Sequence, residues 1–264
     1  MLQQALDFHA ESDALAALIE SLDDQAFRRT TLFRQWTIDD VIAHLHLFNV
    51  AADLSLNDEA GFAELWGRIV QAMKAGATLR DFAEEWLNGV YGVELFEAWR
   101  GFYPGMAERF AAADPKRRLR WAGPDMSVRS SITARQMETW AHGQAVYDLL
   151  GIARVDEDRI RNIAFLGVST FGWTFRNRGL DVPEVMPCVR LTAPSGASWT
   201  WNEPDRGESI TGSATAFCQV VTQTRNVADT DLVVEGETAS GWMAIAQCFA
   251  GPPVDPPAPG VRTQ

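Results

Sequence analysis

The spacing of apolar residues changes character about 150 residues into this 264-residue chain, and that change limits the folds open to it. In the first part the period is helical. Leu2, Leu6, Leu15, Leu18, Ile19 and Leu22 form one broad stripe with Gln, Asp and Glu between them. Thr37 is placed to cap a second helix, with Asp39 and Asp40 facing the positive end of its first turn. A shorter helix is expected over 62–74 and a long one over 78–113, with a bend at Gly101 or Pro104. The fourth main helix is expected over 130–150, stopped by Gly151. Residues 1–155 are therefore expected to fold as a four-helix bundle.

Beyond it, one more helix is expected over 156–178, and then the period shortens. Val189 and Leu191 alternate with Arg190 and Thr192, Pro194-Ser195-Gly196 makes a turn, and Trp199 and Trp201 alternate with Thr200 and Asn202. That is the pattern of a hairpin. Helical stretches over 213–222 and 238–249 flank a strand at 231–235, so residues 156–251 predict a smaller α+β domain. Residues 252–264, with Pro252-Pro253, Pro256-Pro257 and Pro259-Gly260, predict a loose, flexible tail.

Composition narrows the function. Apolar residues make up 47% and charged residues 22%, enough to bury real cores. Against 35 Asp and Glu stand 23 Lys and Arg, and the net charge of −12 repels phosphate backbones and anionic lipid. The one basic cluster, Lys116-Arg117-Arg118 with Arg120, reads as a solvated loop, so neither nucleic acid nor membrane is expected as a partner. No apolar run approaches a membrane span, and Met1-Leu2-Gln3-Gln4 opens no secretory signal. Cys188, Cys218 and Cys248 sit in apolar sequence and read as buried reduced thiols. A cytoplasmic monomer or homodimer is the expectation.

Three of the four histidines fall in two places. On the second helix Val41, Leu45, Phe48 and Ala52 share a side, with His44 at its edge. His46, two residues on, points the other way and is expected in solvent. His9, beside Glu11, is expected to be exposed. On the fourth helix Glu138 and His142 are four apart and share a face with Ala134, Ala141, Ala145 and Leu149. A carboxylate and an imidazole on a face of small apolar residues are costly unless paired. Spacing alone is met by a buried Glu–His ion pair, the commoner arrangement, or by a divalent metal held from two helices. Trp140 lies far from His142 by helical phase and reads as packing. Trp36 reads as packing or as a pocket wall.

The stretch from Gln35-Trp36-Thr37 through Asp40 to His44, followed by Glu138-Thr139-Trp140-Ala141-His142-Gly143-Gln144, resembles the DinB-like superfamily, and within it the mycothiol-dependent maleylpyruvate isomerase branch. The resemblance covers residues 1–155. It implies a metal bound by His44, Glu138 and His142, zinc or, in purified protein, nickel. The stretches 211–223 and 242–251 resemble an uncharacterised subgroup often labelled after wyosine base formation. The acidic charge and the lack of iron–sulfur cysteines speak against tRNA chemistry. More distantly, the second half resembles a sterol-carrier-type α+β domain. One departure stands out: many members of the family it resembles carry Gln-Asp where this chain has Gln144-Ala145.

The resemblance further implies a low-molecular-weight thiol as cofactor, activated by the metal and added to a small electrophile, either for transfer or for cis–trans isomerisation. Arg135 and Arg225 are the candidates for holding an acidic substrate. The rival reading is a non-catalytic, metal-containing protein that binds an apolar small ligand.

Overall fold

The structure, a computed structural model, describes residues 1–262. The chain divides into two compact units, Met1–Ile152 and the remainder from Ala153. The fold is mostly helical, with a small sheet in the second unit.

The first unit contains α1 (Gln3–Ile19), the short α2 (Asp24–Phe27), α3 (Ile38–Asn57), α4 (Glu59–Lys74), α5 (Leu79–Leu87), α6 (Gly92–Ala112) and α7 (Val128–Leu150). A minimal hairpin, β1 (Arg118–Leu119) with β2 (Met126–Ser127), precedes α7. Helices α1 and α3 each pack against both α6 and α7, closing a ring of four long helices. Phe8, Ile19, Ile42, Leu45, Trp99, Phe110, Ile132 and Val146 are wholly withdrawn from solvent. At about 1.5–3 kcal/mol for each large apolar side chain, this interior outweighs any local helix propensity.

Helix α3 starts where its sequence indicates. The Thr37 hydroxyl accepts from the Asp40 amide, and the Asp40 carboxylate accepts from the Thr37 amide at 2.7 Å. Helix α7 stops at Gly151, which takes a left-handed φ of 66°. The expected long helix over 78–113 is instead two. Asn88 (φ 50°) and Gly89 (φ 89°) turn the chain out of α5, as residues tolerant of left-handed backbone can. The start of α6 is then held from outside: the Gly92 amide donates to Asp39 and the Val93 amide to Asp24. A side chain at Gly92 would collide with Asp24. Gly101 and Pro104 lie within the continuous α6.

In the second unit a single 3₁₀ turn leads into α8 (Arg161–Ser169) and α9 (Phe171–Asn177). The one helix expected over 156–178 is broken at Thr170, whose hydroxyl donates to the Leu166 and Gly167 carbonyls. Strands β3 (Cys188–Thr192), β4 (Ser198–Trp201), β5 (Ser209–Ser213) and β6 (Val233–Glu235) make one sheet in the order β4-β3-β5-β6. The hairpin pairs Leu191 with Trp199, β5 runs parallel to β3, and β6 is antiparallel to β5. Helices α10 (Ala214–Val221) and α11 (Glu237–Ile245) complete the unit. Gly167 lets α8 approach α10 closely, since a Cβ there would stand 2.8 Å from Val221.

The proline-rich segment, expected to be loose, is tied down through residue 260. Gln223 donates to the Val254 carbonyl, Asn226 to that of Pro257 and Gln247 to that of Pro252, while the Gly260 amide donates to Asp229. Prolines lack amide donors but keep their carbonyls, so side-chain amides from the folded unit can hold the segment without a strand. All three cysteines are buried, and none of them is in a disulfide. Among the described residues no helix is long and apolar enough to cross a membrane.

Candidate metal centre

Helix α3 presents His44 and α7 presents Glu138 and His142 to one spot inside the first unit. His44 Nε2 lies 3.2 Å and His142 Nε2 3.1 Å from the same oxygen, Glu138 Oε2. One donor atom from each of the three residues falls within 4.8 Å of the others. The two imidazole rings are 4.5 Å apart, centre to centre. The Glu138 side chain keeps 23% of its surface accessible, so solutes can approach the cluster.

Electrostatics favour the ligating forms of two of the three groups. Burial, reinforced by the neighbouring His142, lowers the His44 pKa to about 4 and leaves that ring neutral at pH 7. Burial pushes Glu138 upward, but hydrogen bonds from His142 and His44 outweigh it and hold the carboxyl well below its ordinary range.

The walls are aromatic. The Trp36 indole stacks on His142, 5.5 Å between centres and within 6° of parallel, and lies 5.4 Å from His44. Phe33 meets His142 edge-on at 5.0 Å, and Phe48 lies 4.8 Å from His44. The loop before α3 carries Phe33 and Trp36 in a tight fold, with the Thr31 amide donating to the Trp36 carbonyl at 2.7 Å. Arg34 (φ 49°) and Gln35 (φ 57°) are both left-handed there, at about 1 kcal/mol each. Of the two readings open for Trp36, the structure has it lining the site. Phe48 was legible as the residue one turn after His44. Phe33 was not, because only the loop's backbone geometry brings it in. Trp140 is fully buried.

Arg135, one turn before Glu138, is buried rather than at the surface. Its Nε donates to Asn49 Oδ1 at 3.2 Å, its guanidinium lies over the Phe48 ring, and burial lowers its pKa to about 10. Its Nη2, like Asn49 Nδ2, is buried and finds no hydrogen-bond partner. Arg225 belongs to the second unit, where it is buried and Nη1 donates to the Thr224 carbonyl at 2.9 Å. His46 is not in solvent as expected. It is half-buried between Trp86 and Phe102, and its Nδ1 has no hydrogen-bond partner among the described residues. Helix phase put His46 opposite His44, but α5 and α6 cover that side too. His9 is half-exposed and pairs with Asp13 at 3.6 Å, while Glu11 is buried.

Fold and site together describe a protein in two units, the helical one bearing two histidines and a carboxylate in ligand-like convergence. The chain belongs to the family described as the mycothiol maleylpyruvate isomerase N-terminal domain, which it matches over residues 8–147. It is 41% identical over 247 residues to uncharacterised proteins of two Mycobacterium tuberculosis strains (CDC 1551 / Oshkosh and ATCC 25618 / H37Rv), covering 94% of this chain and 95% of theirs. Among solved structures it resembles the mycothiol-dependent maleylpyruvate isomerase and a histidine-to-alanine mutant of it. The TM-score is 0.53 at 12% identity, covering 83% of this chain and 87% of the other. At that identity the likeness is one of fold.

Proposed function

We propose that this protein is a metal-dependent enzyme that activates a low-molecular-weight thiol for transfer to, or cis–trans isomerisation of, a small electrophile. The observation that carries the reading is the convergence of His44 and His142 on one Glu138 oxygen, within reach of solutes. Two imidazoles and a carboxylate suit zinc or nickel and leave a coordination position open, as catalytic sites do. A divalent ion held there would lower the pKa of a thiol and make it nucleophilic at neutral pH. Family membership and the shared fold support a thiol of the mycothiol kind.

The protein's own groups have separable parts in this reading. Glu138 supplies the single negative charge, so a positive centre remains for the thiol's sulfur. Trp36 and Phe33 exclude bulk water from the imidazoles and strengthen that attraction. Arg135, buried one turn before Glu138, holds positive potential beside the cluster and stays, like Arg225, a proposed anchor for an acidic substrate. Arg225 remains proposed as an anchor for an acidic substrate, read out as a raised KM in Arg225→Gln. We read the ring of four helices as a DinB-like bundle, the second unit as a sterol-carrier-type module and the protein as cytoplasmic.

Metal analysis tests the centre. His44→Ala, Glu138→Ala and His142→Ala should each abolish near-stoichiometric zinc or nickel retention, and His46→Ala should not. Wild-type protein that carries no metal and takes none up on titration would end the reading. For the thiol, calorimetry in two buffers should show about one proton released per mycothiol, glutathione or cysteine bound, and none without metal. A metal-loaded protein that binds no thiol would favour the rival, a binding protein for an apolar ligand.

A further inference from the structure

A cavity of about 290 Å³ opens within the first unit on the side of His44 away from α7, between α3, α5 and the turn into α6. It is near the lower size limit of small-molecule sites. Its wall is continuous with the candidate metal centre, because His44 and Trp36 line both. The interior is aliphatic, built from Leu47, Leu79, Ala83, Leu87 and Leu95. Charged groups are confined to a few positions, and most of them are already engaged. Asp40 is paired with Arg80 at 2.8 Å and caps α3. Asp39 accepts from the Gly92 amide at 2.7 Å.

Arg28 differs from these. Its guanidinium lies 5.4 Å from the centre of the Tyr91 ring, also on the cavity wall; its charge acts on the Asp39 carboxylate, but it makes no ion pair or hydrogen bond among the described residues. Tyr91 itself is 52% exposed, so this pair stands where a ligand would enter. Glu84, on the exposed face of α5, and Asp39 are the wall's other charged groups without an ion pair among the described residues, and only Asp39 has a hydrogen-bond partner there. A guanidinium over an aromatic ring offers parallel donors to a carboxylate, and the aromatic face holds the cation in place.

We propose that this cavity is the binding site for a small carboxylate with an apolar body, anchored through Arg28, with its body beside His44. It deepens the thiol-transfer reading, on which it rests for the ligand's part in the reaction: the apolar acid would be the electrophile. Binding itself requires neither metal nor thiol. Arg28 is on this account the residue that selects for an acidic head group, a role neither Arg135 nor Arg225 fills at this cavity.

The experiment is calorimetric titration of the full-length protein with cinnamate and 2-octenoate, before and after removal of metal by a chelator. Cinnamylamine, which shares the body but inverts the charge, is the control. Titrating the chelated protein keeps a carboxylate from binding a metal directly. One or both acids should bind the chelated protein at one site. Arg28→Gln, a change at an exposed position, should weaken that binding about tenfold. Ala83→Leu should weaken it by filling the aliphatic interior. Cinnamylamine should bind far more weakly than cinnamate. The proposal is overturned if neither acid binds, if Arg28→Gln binds them as the wild type does, or if the amine binds as well as the acid. Acid binding by a wild-type protein that, before chelation, carries no metal and takes none up on titration would support the cavity while ending the thiol-transfer reading.

Discussion

His46 and His44 stand two residues apart on one helix, and each is made neutral by burial. For His46, desolvation against Trp86 and Phe102 lowers the pKa to about 4. The unfolded chain, with an ordinary histidine pKa near 6.5, takes up the proton first as pH falls. Its contribution to stability is complete above about pH 6.5 and is lost progressively towards pH 4. After discounting for residual exposure this is on the order of 2 kcal/mol. His46→Leu should therefore flatten the decline in unfolding free energy between pH 6.5 and 4, measured by urea titration of the metal-free protein. It should also raise stability at pH 7 by about 1 kcal/mol, because the unpartnered Nδ1 is gone. An unchanged pH slope would mean that His46 titrates normally in the folded chain.

At the scale of elements, the capping box at Thr37 sets where α3 begins and hence which residues face α7. Thr37→Ala should lower the unfolding free energy by about 1 kcal/mol in denaturant titrations. Metal stoichiometry should stay unchanged, because Val41, Ile42 and Leu45, all fully buried, hold the helix on either side of His44. Loss of metal in this variant would show that the cap, rather than the core, holds the ligand in place. The split between α5 and α6 has the opposite origin. Asn88 and Gly89 permit it locally, but Asp24 and Asp39, distant in sequence, cap the new helix. The strand β5, Ser209–Ser213, was equally hidden. It has a single apolar residue and exists because it pairs in parallel with β3 and antiparallel with β6.

At the scale of the molecule, the three candidate ligands and the Arg28 cavity all lie within the first compact unit, Met1–Ile152. That unit has its own apolar interior, so a fragment of residues 1–152 should fold cooperatively, give a helical far-ultraviolet spectrum and bind metal with the stoichiometry of the full chain. A fragment that is unfolded, or folded but unable to take up metal, would show that the second unit is needed to complete the centre.

By itself the sequence determined the helical first half, the hairpin around Pro194-Ser195-Gly196, the caps at Thr37 and Gly151, and the shared face of Glu138 and His142. Each rests on interactions within one or two turns of chain, which spacing encodes directly. The meeting of His44 with Glu138 across 94 residues was reached from the sequence only through family resemblance, and the packing of α3 on α7 accounts for it. Burial of His46, the seating of Phe33 and Trp36 against the imidazoles, the tethered proline segment and the cavity at Arg28 were decided by tertiary structure alone. All depend on which distant surfaces come to cover a residue, and a one-dimensional pattern can show which side of a helix is apolar but not what will be laid against the other side.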